Sequence, residues 1–273
     1  MVRTVFLLRR VAGFACALVF CTSNGAGQAG PPFRSDEPGT PGNGHWEINI
    51  AGIGERNPVE GRYALPNLDF NYGLGDRIQL KYEMAYGIYE VRGSTPSLAG
   101  GVGNSLAGVK YRFFEKRSSQ TGDTNFALSV YPQLLFSAVN SSVRRDIADP
   151  GQFYLPLECS GRLGQLTFSG ELGHWFARHQ VPGAWVKAAV LGHEFSKKSE
   201  LFAEIYHTTD IQYGDSRRVP DLTLGIGGRK SIKEDGSLRL LAMVGHSLLP
   251  PEPTGTRPQW IAYLGLRILI GDK

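Results

Sequence analysis

The segments Leu68-Asp69-Phe70-Asn71-Tyr72 and Ile78-Gln79-Leu80-Lys81-Tyr82-Glu83-Met84 alternate apolar and polar side chains residue by residue. Successive side chains of a strand point to opposite faces, so each segment has one apolar, aromatic face and one polar face. About a dozen such segments follow one another too closely for helices to separate them, which predicts an all-β chain. With lipid against one face and a polar lumen against the other, the fold expected is a transmembrane antiparallel β-barrel. Candidate strands fall near 44–55, 62–74, 76–90, 103–115, 123–137, 152–164, 165–177, 184–196, 199–209, 219–232, 237–248 and 259–270. That is twelve strands, an even number, as a single-chain bacterial barrel requires.

The connections support this order. Short links at 74–76, 164–165, 195–199 and 232–237 alternate with longer or Pro-rich ones at 91–102, 138–151, 210–218 and 249–258. Short periplasmic turns and longer outer loops give this pattern when the N-terminus lies on the periplasmic side. The links at 56–61, 116–122 and 178–183 depart from it.

The N-terminus supplies an address. Arg3, Arg9 and Arg10 precede a short apolar stretch from Val11 to Phe20, and small residues surround Ala29. This predicts a secretory signal peptide over 1–29 and Sec export to the outer membrane of a Gram-negative cell. A rival signal acylated on Cys21 is disfavoured by the bulky Val19-Phe20 before it. Residues 30–43, GPPFRSDEPGTPGN, then form a Pro/Gly-rich leader expected in the periplasm or entering the barrel mouth, and the barrel spans 44–273.

Composition excludes other classes. The hydrophobic fraction of 41% is too low for a bundle of membrane-spanning helices. Removing the three signal arginines leaves the basic residues, 29 in the whole chain, almost balanced by 25 acids, which argues against a nucleic-acid partner. Past the signal, Cys159 is the sole thiol and has no disulfide partner, so stability must come from strand pairing and burial.

Strand parity assigns Ile48, Leu68, Phe70, Leu80, Tyr82, Val109, Leu128, Leu224 and Leu264 to the lipid face. The candidate pore-lining residues are Asp69, Lys81, Glu83, Lys110, Arg112, Glu158, Arg162, Glu171, Lys187, Glu204, Arg229, Arg239 and Arg267. These charges nearly balance, so no strong ion selectivity is expected. They would either select solutes or satisfy one another as cross-strand pairs. Trp46, Tyr72, Tyr86, Trp175, Trp185 and Trp260 stand near strand ends, where interfacial girdles form. Pro132 and Pro156 interrupt strand patterns and predict a bulge or weak pairing.

Enzymatic chemistry finds little support. His207 with Thr209, His246 with Ser247, and His174 beside Trp175 are candidate base–nucleophile neighbourhoods; the first pair shares a face, yet no carboxylate or amide is placed to orient its histidine. The six histidines are scattered without metal-ligand spacing, so neither metal nor cofactor is expected. Arg144-Arg145 and Arg217-Arg218 fall in outer loops, where they would bind surface glycolipid phosphates or simply be solvated.

The leader carries a resemblance. Asp36-Glu37-Pro38-Gly39-Thr40-Pro41 running into Gly44-His45-Trp46-Glu47 resembles the opening of outer-membrane proteins of the phenol meta-pathway (MetA-type) transporter-like family. Further echoes are Leu68 to Leu74, Gly108-Val109-Lys110-Tyr111-Arg112 and Leu191-Gly192-His193-Glu194-Phe195. The resemblance implies a barrel that moves hydrophobic or aromatic compounds and implies no catalytic residue. Together these readings predict a passive outer-membrane channel for small solutes, in contact with outer-membrane lipids. The alternatives are a lipid-modifying hydrolase and a structural or adhesive barrel without an open pore.

Overall fold

The structure, a computed structural model, describes residues 31–92, 96–118, 124–136, 151–176, 183–196, 198–209, 212–213, 216–217, 220–251 and 257–271. The expected signal peptide and the loop residues Arg144, Arg145 and Arg218 lie outside them. The strands are β1 (Trp46–Arg56), β2 (Glu60–Leu74), β3 (Ile78–Val91), β4 (Ser97–Arg117), β5 (Thr124–Val130) and β6 (Gln133–Phe136). They continue with β7 (Gln152–Leu163), β8 (Leu166–Phe176), β9 (Ala184–Ser196), β10 (Ser199–Thr208), β11 (Gln212–Tyr213), β12 (Ser216–Arg217), β13 (Asp221–Ser231), β14 (Leu238–Ser247) and β15 (Trp260–Ile270).

Each wall strand pairs antiparallel with its neighbours in sequence, and β1 closes the sheet against β15 from Trp46↔Ile270 to Arg56↔Trp260. β5 and β6 are two halves of one stave, since both lie between β4 and β7. The wall is therefore a closed antiparallel barrel of twelve staves, with β11 and β12 forming a separate hairpin. Closure leaves no strand edge, a condition for spanning hydrocarbon. Short turns use Gly75 (φ 69°) and Gly164 (φ 62°), whose left-handed backbone other residues adopt with strain.

The two prolines are absorbed locally. Tyr131 and Pro132 separate β5 from β6, yet the carbonyl of Pro132 accepts from Val109 N (3.0 Å) and that of Pro156 from Tyr131 N (3.2 Å). Each proline thus serves the ladder as an acceptor although it cannot donate. Nearby, a bulge between Arg112 and Phe114 turns both Phe113 and Phe114 outward.

Alternation sorts the faces. Leu80, Tyr82, Val109, Leu172, Ile226 and Leu264 lie exposed on the outside, whereas Asn49, Asp69, Lys110, Glu158, Glu204 and Arg267 are buried inside. Trp46, Tyr86, Trp185 and Trp260 face outward, and Trp46 packs on Tyr72 with ring centroids 4.8 Å apart. Trp175 departs from the expected girdle. It stacks at 4.5 Å on Tyr154, which lies inside, because both occupy the lumen-facing parity of β8 and β7.

The leader goes deeper than the periplasm or the barrel mouth. Its Phe33 packs edge-on against Phe202 of β10 at 5.3 Å, within a cluster of inward residues that includes Leu241, Met243 and Tyr263. Where the leader rejoins the wall, Gly44 N donates to Gly73 O (2.9 Å). A Cβ at Gly73 would collide with the Gly42 carbonyl, so glycine is needed for this approach.

Ile226 lies midway along β13, is exposed, and faces the same side as Ala203 and Val244 across the ladders. Ile226→Arg should therefore cost about 2–4 kcal/mol of stability in a bilayer. Urea titration of the folded fraction in lipid vesicles measures this, and a variant as stable as the parent would show that this face does not meet lipid.

Candidate functional site

The pleat places Asp69, Lys81, Glu83, Lys110, Arg112, Glu158, Arg162, Glu171, Glu204, Arg229, Arg239 and Arg267 on the inner face. Lys187 is a correction. Val186 and Val190 occupy the inner parity of β9, so Lys187 projects outward between them and stands opposite His207 in the ladder. A lone lysine in Ala-Trp-Val-Lys-Ala-Ala-Val suggested a polar face that small apolar residues in fact fill. Near a strand end, its long stem can carry the ammonium to the membrane surface.

Ion pairs tie these residues together. Toward the end carrying the chain termini and the short turns, Arg162 grips Glu194 through both nitrogens (2.7 and 2.5 Å), and Arg229 Nε donates to Glu200 (2.8 Å). Arg267 donates to Asn49 (3.0 Å) and pairs with Glu47 (3.2 Å). Arg112 donates to the Asp76 carbonyl (2.5 Å). Arg239 stands directly across the ladder from Arg267 and donates to the Gly236 carbonyl (3.2 Å). In the other half, Lys81 lies between Glu83 (3.1 Å) and Asp69 (3.5 Å).

Between these regions the leader crosses the lumen, and its charges meet wall groups of opposite sign. Arg34 pairs with Asp221 and lies over the Tyr206 ring at 3.9 Å, while Ser35 donates to Glu204 through N (3.0 Å) and Oγ (2.6 Å). Asp36 accepts from Lys110 (2.8 Å), and its backbone N donates to Glu171 (2.9 Å). Lys110 also donates to the Glu37 carbonyl and lies 3.5 Å from Glu158. Further along, Thr40 donates to the Asp76 carbonyl (2.8 Å), and Arg267 holds the Pro31 carbonyl (3.1 Å).

The leader's ionisation follows from these contacts. For Asp36 burial opposes the charged form, but Lys110 and Lys81 outweigh it and hold the carboxyl below its ordinary value. A depressed docked-state pKa means that this contribution is complete above the ordinary carboxylate range and fades as pH falls through the lower value. Burial likewise opposes charge on Arg34, and Tyr206, Glu55 and Asp221 reverse the balance, so the guanidinium stays charged.

Two cavities of chamber size stand among those left around the leader. One, of about 320 Å³, is lined by Pro31 to Asp36 of the leader and by Glu55, Lys81, Glu83, Tyr154, Trp175 and Tyr263 of the outer half. The other, of about 130 Å³, is lined by Glu37, Gly39 and Thr40 and by Arg112, Arg162 and Thr167 of the inner half. The leader thus forms the floor of one chamber and the roof of the other.

The histidine neighbourhoods do not assemble a nucleophile. Thr209 Oγ1 bonds the Trp185 backbone (3.2 and 3.4 Å), leaving His207 without it. His246 packs on Trp260 at 4.3 Å, whereas the next residue, Ser247, is buried on the opposite face and bonds Leu249 N (3.3 Å). The His174 ring packs against Trp185 (4.7 Å) and Phe176 (4.8 Å). Among the described residues no cluster of His, Cys, Asp or Glu gathers as a metal site.

The fold has solved counterparts. The chain is similar to the COG4313 outer membrane channel from Pseudomonas putida F1 (TM-score 0.65, 11% identity), with 91% of this chain and 99% of that chain covered. It is also similar to the KdgM porin (TM-score 0.52, 11% identity, 81% and 98% covered) and the NanC porin (TM-score 0.52, 8% identity, 81% and 98% covered). These likenesses establish an outer-membrane barrel fold. No protein family matches the chain, and no curated protein does, so the resemblance to the MetA-type family rests on the sequence motifs.

Asp36→Asn removes the leader's charged partner for Lys110 and should weaken docking by about 1.5–3 kcal/mol, the worth of a charged hydrogen bond. Trypsin cleavage after Arg34 in detergent-solubilised protein reports the undocked fraction. Cleavage about tenfold or more faster than in the parent is expected, and equal rates would show that this pair does not hold the leader.

Proposed function

We propose that the protein is a passive outer-membrane channel for small solutes, with its own leader as the plug that must yield for passage. The observation that carries this reading is the pair of chambers, about 320 and 130 Å³, on either side of residues 31–43. A structural barrel could fill its interior with wall side chains, as smaller barrels do. Here the wall leaves space that a Pro/Gly-rich segment occupies through a chain of polar contacts, each individually modest and exchangeable with water.

The outer chamber also bears on the solute. Tyr154, Trp175, Tyr206, Tyr263, Met243, Ile53 and Ile261 give it an apolar and aromatic lining. Such a lining favours small solutes with an apolar or aromatic body, in keeping with the sequence resemblance. Passage is driven by the concentration gradient and uses no cofactor. The hydrolase alternative loses ground because its candidate hydroxyls at Thr209 and Ser247 are committed elsewhere. A barrel that stays closed differs from this reading only in whether the leader moves.

Liposome swelling tests the proposal with the mature protein and with a variant lacking residues 31–43. The intact protein should admit small solutes slowly and the deletion variant several-fold faster, with both running as heat-modifiable folded barrels. Swelling no faster than empty vesicles for both folded proteins would overturn the channel reading. Equal, rapid swelling would overturn the plug.

A further inference from the structure

The outer chamber has an unbalanced charge. Of its charged residues, Arg34 is engaged by Asp221 and Asp36 by Lys110. What remains is one ammonium, Lys81, against the carboxylates of Glu55, Asp69, Glu83 and Glu171. Lys81 already spans Asp69 and Glu83, while Glu171 accepts from Tyr154 and from the Asp36 backbone. Glu55 makes no hydrogen bond or ion pair among the described residues, although it adds to the field that holds the charge on Arg34, and its strand parity turns it into the lumen.

A second observation, independent of the acids, marks the same chamber. Tyr263 is only 7% exposed, lines the cavity, and its hydroxyl has no hydrogen-bond partner among the described residues. Asp69, 3% exposed, stands nearby with its Oδ1 3.5 Å from the Lys81 ammonium. A buried hydroxyl without a partner carries a desolvation cost that a ligand's N–H can relieve. Around these oxygens stand the Tyr154–Trp175 stack, Met243 and Ile261.

We infer that the outer chamber is a binding site for a small organic ammonium ion carrying an aromatic or alicyclic body. The carboxylates attract the charge, Glu55 and Tyr263 offer acceptors to its N–H groups, and the aromatic faces receive the apolar part and add cation–π attraction. A cavity of about 320 Å³ is at the small end of ligand pockets and suits a single ring. A carboxylate of the same shape would meet Glu55, Asp69 and Glu83, with Lys81 already committed. A bare divalent ion would find Lys81 wedged between Asp69 and Glu83 and apolar walls elsewhere. The inference deepens the channel reading by naming a solute class, but binding itself requires no passage.

Isothermal titration of the intact, detergent-solubilised protein with 2-phenylethylammonium, 2-phenylethanol and phenylacetate separates the cases, since the three probes share a ring and differ mainly in charge. The ammonium should bind at least about tenfold more tightly than the other two. Glu55→Gln should weaken it by about tenfold while leaving the heat-modifiable gel shift unchanged, and Tyr263→Phe should weaken it less. Phenylacetate or phenylethanol binding as tightly as the ammonium, no binding of any probe, or an unaltered affinity in folded Glu55→Gln would overturn the inference. Swelling with neutral solutes is read separately, so the site can fail while the channel stands.

Discussion

Inside a bilayer no backbone N–H or C=O can turn to water, so every wall strand must find two hydrogen-bonded neighbours. The pairing of β1 with β15 meets that demand for the two strands that would otherwise be edges. Once the sheet closes, each side chain has one of two destinations, lipid or lumen, decided by parity alone. The prolines are tolerated because each still supplies a carbonyl to its neighbour. The bulge near Phe113 and Phe114 keeps aromatic rings on the outside without disturbing Lys110 and Arg112 within.

Closure creates a second problem, since twelve staves enclose more space than their own side chains fill. The leader meets it with Phe33 against Phe202 and with charges placed for the wall: Arg34 meets Asp221, and Asp36 meets Lys110 two residues later. The wall groups gain as much as the leader does. Lys110 and Glu158 are almost fully buried, and a buried charge is tolerable only when paired. The leader therefore helps to complete the lumen's electrostatics, which ties occupancy of the lumen to the state of the wall.

The two halves of the lumen differ in what they leave unmatched. Near the chain termini, Arg162, Arg229 and Arg267 each hold a carboxylate, with Arg239 beside them bonded to a carbonyl. In the outer half carboxylates outnumber the ammonium of Lys81, and aromatic rings share the wall. Along the barrel axis an acidic, aromatic chamber is followed by the leader and then by an arginine-rich region.

Alternation in segments such as Leu68–Tyr72 determined the fold class, the strand positions and the inward face of most charged residues, because period two is a local property that pairing only amplifies. It misassigned Lys187, where the apolar Val186 and Val190 belong to the lumen face, and Trp175, where an aromatic residue near a strand end lines the chamber instead of meeting lipid. In both cases a single residue's chemistry suggested a face that its neighbours' parity contradicts. The leader's path was beyond local reading. Gly, Pro and mixed charge indicate only an extended segment, and its destination depends on Asp221, Glu204 and Lys110, which lie 74 to 187 residues away along the chain. The excess of carboxylates around Glu55 and the unpartnered hydroxyl of Tyr263 likewise arise only when closure brings β1, β2, β3, β8 and β15 around one space. The sequence thus determined the inward face of most residues, through a rule that acts between neighbours. Which inward residues meet was decided by the tertiary structure, since ring closure and the threaded leader join groups that no local rule connects.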